Sequence, residues 1–193
     1  MKTAAARRRG LTLVELLVVL AVLALLAAFT APAARDYQRD LALASATTRI
    51  TGLLAAARSE ALRRQADVIV APIAGQDWNS GWRLFVDHKG NGRYDDAAQL
   101  LSTSPALTQP YLSTAMVANR TVTQGYVRYT GAGFAINVDG SFGARTFEIR
   151  RNDVATNSHR ATRRIKIGAT GRLRLCTPTR ANDSTCSMAG EAD

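Results

Sequence analysis

The chain has 193 residues, with 25 Lys and Arg against 15 Asp and Glu, and a formal net charge of +10. This length allows one domain of ordinary size, or one domain with an appendage. A hydrophobic content of 47% with 21% charged residues excludes a disordered or fibrous chain. The positive charge makes nucleic acid, anionic lipid and acidic protein surfaces the default partners.

The excess of positive charge lies near the two ends of the chain. Residues 1–10 carry four basic residues and no acidic one, and residues 145–180 carry ten basic residues against two acidic ones. Residues 11–144 are nearly neutral, and the last residues are acidic. Each basic cluster therefore needs its own explanation.

An uncharged stretch of 19 residues, from Leu16 to Ala34, follows the first basic cluster. As a helix it would be about 28 Å long, close to the thickness of a bilayer's hydrocarbon core. The preceding basic residues orient the start of the chain to the cytoplasm and the body across the membrane. One alternative is a secretory signal peptide cleaved at Ala31-Pro32-Ala33. Against it, Glu15 lies in the leading edge of the apolar run, where a carboxylate is costly without a partner.

The segment Arg9-Gly10-Leu11-Thr12-Leu13-Val14-Glu15-Leu16 resembles a type IV prepilin processing site. The resemblance implies that a dedicated peptidase cuts after Gly10 and that the new N-terminus, Leu11, is methylated. It also implies that Glu15 pairs with the terminal amine of a neighbouring subunit during assembly. Leu11 departs from the family pattern, which usually has Phe after the cut.

Three segments follow from this resemblance: a leader peptide (residues 1–10), a transmembrane and filament-core helix (11–34) and a periplasmic or extracellular globular domain (35–193). The implied location is a single pass through the inner membrane, and later a type IV pilus at the cell surface. Pro32 falls where such helices usually carry a kinking proline.

The pattern stays helical from Asp36 to Ala66 and becomes amphipathic. Apolar residues recur there at spacings of three and four: Leu43, Ala46, Ile50, Leu53 and Ala57. Seven short strands are then predicted: Asp67–Ala71, Trp82–Val86, Tyr126–Tyr129, Phe134–Val138, Thr146–Arg150, Arg163–Ile167 and Arg172–Cys176. A long helix followed by antiparallel strands is an α+β layout. The Ser-, Thr- and Pro-rich stretch from Leu101 to Thr123 predicts a variable loop.

Three blocks in this region are similar to the FimT/FimU/GspH group of minor pilins and pseudopilins: Ala57-Arg58-Ser59-Glu60-Ala61, Arg63-Arg64-Gln65, and Trp78 to Asp87 with its Gly81-Trp82. The resemblance implies a type IV pilin-like fold, with a long helix packed on an antiparallel sheet. Within the third block we expect Trp78 and Trp82 to pack in the core or a hairpin rather than to form a stacking surface.

Asp87-His88-Lys89-Gly90-Asn91-Gly92-Arg93-Tyr94-Asp95 matches only part of a calcium-binding loop. Lys89 occupies one ligand position, and Ala98 stands where a bidentate Glu is needed. We therefore predict a turn around Asn91-Gly92 and no metal site. The two histidines, His88 and His159, lie in no catalytic motif. Neither an enzymatic activity nor a cofactor is expected.

The second basic cluster predicts a hairpin within residues 163–176. Strand alternation places four cations on one face: Arg164, Lys166, Arg172 and Arg174. With Gly168-Ala169-Thr170 as the loop, Lys166 lies opposite Arg172 and Arg164 opposite Arg174; a register two residues away also fits the apolar pattern. Opposed like charges destabilise a hairpin, which favours a polyanionic ligand. A solvated strand face and an acidic neighbour in the pilus are the alternatives.

Gly171-Arg172-Leu173-Arg174 matches the Gly-Arg-x-Arg motif of FimT-type minor pilins, which bind DNA during natural transformation. The resemblance implies that Arg172 and Arg174 contact DNA and that Gly171 shapes the turn. Strand geometry adds three cations to this predicted surface: Arg163, Arg164 and Lys166. Phosphate contacts carry no sequence information, so binding should be largely sequence-independent.

The predicted function is thus capture of extracellular DNA by a minor pilin, for uptake in natural transformation. One alternative is a GspH-like pseudopilin, a structural tip component of a type II secretion system. Another is a minor pilin that only primes assembly, its cations binding a neighbouring subunit. The expected partners are DNA, other major and minor pilins, prepilin peptidase and the inner membrane.

Cys176 and Cys186 are the only cysteines. Beyond the inner membrane they can oxidise, so we expect a disulfide, with free thiols as the alternative. Such a bridge would contribute about 2–3 kcal/mol of stability. It would also tie the acidic tail beside the cations.

Overall fold

A computed structural model describes residues 12–118, 125–137, 139–155, 158–180 and 183–187. Its first element is helix α1, Leu13–Arg64, which includes Pro32. The Thr12 hydroxyl accepts the backbone N–H of Glu15 at 3.3 Å and so caps the start of the helix. Gly10 and Leu11 of the predicted processing site lie outside the described residues. The chain divides into two compact units after Arg39.

The first unit contributes the apolar part of α1. Its leucine and valine side chains are exposed from Leu13 to Leu26. By length and composition, this helix is able to cross a membrane. Glu15 lies in its first turn, where a negative charge interacts favourably with the helix dipole.

The second unit begins with the rest of α1, which buries one stripe of side chains. The buried residues recur every three or four positions: Leu43, Ala46, Thr47, Ile50, Leu54, Ala57 and Ala61. Leu53 is only partly buried and packs at the margin of the core. The predicted amphipathic helix is therefore confirmed, but Leu54 rather than Leu53 is the buried residue of its apolar stripe.

Two antiparallel sheets pack with this stripe. The five-stranded sheet has the order β3-β2-β1-β5-β6, and the four-stranded sheet has the order β4-β7-β8-β9. The strands are β1 (Val68–Ala74), β2 (Asp77–Val86), β3 (Leu100–Ser104), β4 (Leu112–Ala118), β5 (Val127–Tyr129), β6 (Ala135–Ile136), β7 (Arg145–Arg151), β8 (Thr162–Ile167) and β9 (Leu173–Cys176). One apolar core joins both sheets to the helix.

The predicted α+β fold, with a long helix on antiparallel strands, is confirmed, and each of the seven predicted strands overlaps an observed one. The predicted strand Phe134–Val138 is shorter in the structure, where β6 is Ala135–Ile136, and Val138 lies outside the described residues. The loop prediction for residues 101–123 is wrong, because β3 and β4 lie in this stretch. Both are edge strands, and Pro105 and Pro110 fall between them. Half-exposed edge strands accept Ser and Thr readily, so the polar composition concealed them. Residues 119–123 of the predicted loop lie outside the described residues.

Trp78 and Trp82 are buried in the core, as predicted. The indole N–H of Trp82 donates to the backbone carbonyl of Trp78 at 2.8 Å. The ring of Trp78 meets Phe147 of the other sheet edge-on, with 4.5 Å between centroids. This contact joins the two sheets and brings the four-stranded sheet, which carries the basic hairpin, against the rest of the domain.

Candidate functional site

The basic hairpin consists of β8, β9 and the turn between them. Gly171 donates its N–H to the Gly168 carbonyl at 2.9 Å, and Gly168 donates to the Arg172 carbonyl at 2.9 Å. Gly171 has φ +77°, a left-handed conformation that favours glycine. These features define a three-residue hairpin loop, Ala169 to Gly171, whose last residue is left-handed.

The strand pairing adopts the second of the two registers that the sequence allowed. Lys166 lies opposite Arg174, Arg164 opposite Cys176 and Ile165 opposite Leu175. The first register is wrong because it needs Gly171 as a strand residue, whereas its positive φ places it in the loop. Consequently only one pair of like charges, Lys166 and Arg174, faces across the hairpin. Arg172 lies opposite Gly168.

Helix α1 and the loop before β6 contact the turn and hold it in place. A Cβ atom on Gly171 would lie 2.1 Å from the Gly133 carbonyl oxygen, so any larger residue would force the backbone to shift. Arg58 of the helix donates from Nε to that same carbonyl at 3.0 Å and from Nη2 to the Thr170 carbonyl at 2.9 Å. Arg58 therefore joins the helix to the turn.

Sequence reasoning did not assign Arg58 to the site. The one feature of the sequence that pointed to Arg58 was its place in the Ala57–Ala61 block, which we interpreted only as part of a family resemblance. Its contacts are with residues 75 and 112 positions away in the chain. A pattern of local spacing contains no information on such contacts.

The two arginines of the Gly-Arg-x-Arg motif are exposed. Arg174 donates from Nη2 to the Thr185 carbonyl at 2.8 Å. The guanidinium of Arg172 makes no hydrogen bond or ion pair with any residue that the structure describes. Lys166 is partly buried on the same face, with its Nζ 3.4 Å from the Ser187 hydroxyl.

Arg164 stabilises the fold through contacts inside the protein. The prediction that it lies on an exposed DNA-binding surface is therefore wrong. It is buried, its guanidinium lies 2.8 Å from the Glu148 carboxylate on β7, and Nη1 donates to the Cys186 carbonyl at 2.5 Å. Its charge is therefore neutralised inside the protein.

Arg163 also differs from the prediction, because strand alternation places it on the face opposite Lys166. Its Nη1 donates to the carbonyls of Arg160 and Thr162, at 2.7 and 2.9 Å. Of the five cations predicted for the DNA-binding surface, three therefore remain on it: Lys166, Arg172 and Arg174.

The Cys176–Cys186 disulfide is present, as predicted. It holds residues 183–187, here called the C-terminal clasp, against the polar face of the hairpin. Three cations of that face bond to the clasp: Arg164 to Cys186, Arg174 to Thr185 and Lys166 to Ser187. The clasp is thus part of the basic surface.

Asp183 organises the clasp rather than neutralising its cations. Its carboxylate accepts hydrogen bonds from the backbone N–H and hydroxyl groups of both Thr179 and Thr185. These bonds, those from Thr185 and Thr179 being the main cause, hold the pKa of Asp183 well below its ordinary value. The other two acidic residues of the tail, Glu191 and Asp193, lie outside the described residues.

The partial calcium-loop match forms a turn. Both oxygens of the Asp87 carboxylate accept backbone N–H groups, one from Asn91 at 3.2 Å and one from Gly92 at 2.9 Å. Gly90 and Gly92 have positive φ values in the same turn. Within the described part of the chain, no cluster of three or more His, Cys, Asp or Glu residues is arranged to hold a metal ion.

The fold and the N-terminal region together define the class of protein. The prokaryotic N-terminal methylation motif matches residues 5–31, and the profile described as type II transport protein GspH matches residues 46–171. The chain belongs to the GspH family. It is a minor pilin or pseudopilin-type protein, with the apolar helix and methylation motif of a membrane-anchored pilus component.

The relatives agree with this class. The pilin-like protein PilA1 of Thermus thermophilus is 38% identical over 96 residues, which are 50% of this chain and 59% of that protein. The chain thus matches less than two thirds of the length of that relative. The type IV minor pilin FimU of Pseudomonas aeruginosa has a similar structure in two crystal forms, with TM-scores of 0.53 and 0.50 at 21% identity.

The FimU similarity covers 72% of this chain and 93% of FimU in one crystal form, and 70% and 97% in the other. At this level of identity it establishes the pilin-like fold alone. Pilin-family proteins are typically processed by prepilin peptidase at this methylation motif and assemble with other pilins.

Proposed function

We propose that this minor pilin binds extracellular DNA, largely independently of sequence, for uptake in natural transformation. One observation carries the proposal: the Arg172 side chain is exposed at the end of a rigidly held turn, and its guanidinium has no partner among the described residues. Arg174, exposed beside it, bonds only to a neutral carbonyl there. Such guanidinium groups suit bidentate contacts with phosphate oxygens.

The remaining charge supports this proposal. A carbonyl oxygen orients Arg174 but leaves its charge intact, whereas the Glu148 carboxylate cancels the charge of Arg164. Three positive charges thus share one face: Lys166, Arg172 and Arg174. A polyanion there would relieve the repulsion between Lys166 and Arg174 and release its own counterions.

DNA binding is tested with the full chain in a nonionic detergent, by fluorescence anisotropy on labelled duplexes of unrelated sequence across a salt series. We expect R172A/R174A to weaken binding to every duplex. We also expect the slope of log affinity against log salt to become shallower by about 2, or about 1 for each lost phosphate contact.

The matched control is R93A/R160A, which removes two exposed arginines outside the hairpin and changes the net charge equally. It should retain most of the affinity. Absence of parent binding at low salt, or equal losses in the two double variants, would overturn the proposal.

We further propose that prepilin peptidase cuts after Gly10, that Leu11 is methylated and that Glu15 pairs with the terminal amine of a neighbouring subunit. The domain bounds of 1–10, 11–34 and 35–193 then apply, with a cytoplasmic leader and a periplasmic domain. Mass spectrometry of membrane-extracted protein should find a chain that starts at methylated Leu11. A chain starting at Ala34 would instead indicate signal-peptide cleavage.

A second candidate is a tip component of a type II secretion system, which the match to a family of type II transport proteins favours. The two roles differ in what a deletion strain loses. A deletion that abolishes DNA uptake but leaves protein secretion intact supports the pilus role. The opposite result supports the secretion role.

A further inference from the structure

Two exposed phenylalanines lie beside the turn of the basic hairpin. Phe134 is 42% exposed and Phe142 is 66% exposed, and their ring centroids are 6.4 Å apart. Two neighbouring aromatic side chains at this exposure contribute little to the core. They form a small apolar platform on the surface.

The connection between this platform and the basic turn is direct on both sides of Phe134. Gly133, which precedes it, has its carbonyl oxygen against Gly171 and bonded to Arg58. Ala135, which follows it, donates its N–H to the Ala169 carbonyl at 3.1 Å. Phe134 is thus bracketed by two contacts with the turn that presents Arg172.

Hydrogen bonds fix the backbone at both phenylalanines. The Phe134 N–H donates to the Thr130 hydroxyl at 3.2 Å, and its carbonyl accepts the Thr130 N–H at 2.9 Å. The Asn137 amide donates to the Phe142 carbonyl at 3.1 Å, and the buried Arg145 donates to that amide's oxygen at 2.8 Å. A platform whose backbone is fixed in this way loses little backbone freedom when a ligand stacks on it.

A cleft of about 340 Å³ lies beside the same turn, between α1 and β9. It combines apolar walls with one guanidinium, and its lining residues are Ala55, Arg58, Ser59, Leu62, Gly171 and Leu173. Its size falls in the lower range of small-ligand sites. An unpaired base can enter such a space, whereas a base within a duplex is paired and stacked.

We infer that the basic hairpin, the Phe134–Phe142 pair and the cleft form a binding surface for single-stranded nucleic acid, with unpaired bases stacking on the two rings. Cations that follow the phosphates, next to exposed aromatic rings, are the combination that single-strand binding uses. A duplex offers its phosphates to Arg172 and Arg174 but no free base face to the phenylalanines. This inference rests on the proposed nucleic-acid binding and specifies its preferred substrate.

The test compares labelled single-stranded oligodeoxynucleotides with duplexes of the same length, using the full chain in nonionic detergent. The parent should bind the single strand more tightly. F134A/F142A should lose about 30-fold or more in single-strand affinity, since stacking contributes about 1–3 kcal/mol per base. Its duplex affinity should change less than about twofold, whereas R172A/R174A should lose affinity for both forms.

Two further variants separate stacking from general apolar contact and protect against a folding defect. F134L/F142L keeps apolar side chains without aromatic faces and should behave like F134A/F142A. F134W/F142W should retain single-strand affinity. Thermal denaturation checks that each variant is folded.

Several results would overturn the inference. One is that the parent binds single strand and duplex with equal affinity and that neither F134A/F142A nor F134L/F142L changes the affinity for either form. The proposed DNA binding would survive this result. A second is full single-strand binding by F134L/F142L. A third is F134A/F142A that binds single strands normally but no longer enters pili, which would assign the platform to a neighbouring subunit. If the parent binds neither form of DNA, the proposed function fails as well.

Discussion

The two ends of the basic hairpin use arginine in opposite ways. At the clasp end, Arg164 is buried against the Glu148 carboxylate and a clasp carbonyl. At the turn end, Arg58 supplies the guanidinium that bonds to the backbone, and Arg172 is left exposed. The density of arginine is therefore a poor guide to a binding surface; what matters is whether each guanidinium stays exposed and whether a carboxylate of the protein cancels its charge.

The largest expected effect concerns the clasp end. R164A leaves the partly buried Glu148 carboxylate without its partner, and we expect a loss of about 3–5 kcal/mol in the free energy of unfolding. Chemical denaturation measures it, with R160A, at an exposed site, as the control. A loss below about 1 kcal/mol would place this pair among surface salt bridges and remove the contrast between the two ends.

The turn end is tested by a pair of glycines. G171A combines backbone strain at φ +77° with a contact 2.1 Å from the Gly133 carbonyl, and it should cost about 2–4 kcal/mol. G140A has nearly the same φ, +78°, with nothing within 4 Å of the added Cβ, and should cost about 1–2 kcal/mol. Equal losses would mean that close packing against Gly133 does not stabilise the turn.

Removal of the disulfide should lower the free energy of unfolding slightly less than G171A does, and it should loosen mainly the clasp. We expect C176S/C186S to lose about 2–3 kcal/mol, because it releases a short closed loop. Hydrogen exchange should increase in residues 183–187 and stay low in the turn from Gly168 to Arg172. Chemical reduction of the parent should reproduce this pattern. Faster exchange at the turn would show that the two ends are coupled.

The smallest effect concerns pH and the clasp. The pKa of Asp183 is lowered in the folded protein, so its carboxylate stabilises the fold above its unfolded pKa of about 3.9, and this contribution is lost as the pH falls below that value. We expect the parent to melt at a higher temperature than D183N at about pH 6, with a difference that shrinks below about pH 4. A constant difference down to pH 2 would exclude the charged form as its source.

The sequence was sufficient to predict the helix, seven strands and the disulfide, because periodicity and residue type determine these features locally. It failed at β3 and β4, where polar edge strands resemble a loop. It also left two hairpin registers open, because both place the apolar residues on one face. The choice depends on Gly171, whose close approach to Gly133 is a contact across 38 positions of the chain.

Side-chain roles in the site were predicted unevenly for the same reason. Strand alternation correctly placed Lys166 and Arg174 on one face. Strand alternation does not predict that Glu148 pairs with Arg164 and cancels its charge, because the pairing of β7 with β8 is a tertiary feature. Arg58 was missed because its two acceptors are backbone carbonyls, which have no sequence signature.

The chemistry of the clasp has a consequence for how this protein tolerates substitution. Thr185 and Cys186 bond to the hairpin arginines through backbone carbonyl oxygens, which every amino acid possesses. The contacts therefore depend on the path of the chain, and that path depends on the Cys186 bridge and the Asp183 carboxylate. Related pilins could vary the exposed side chain of Ser184 freely and still hold Arg174 in the same orientation.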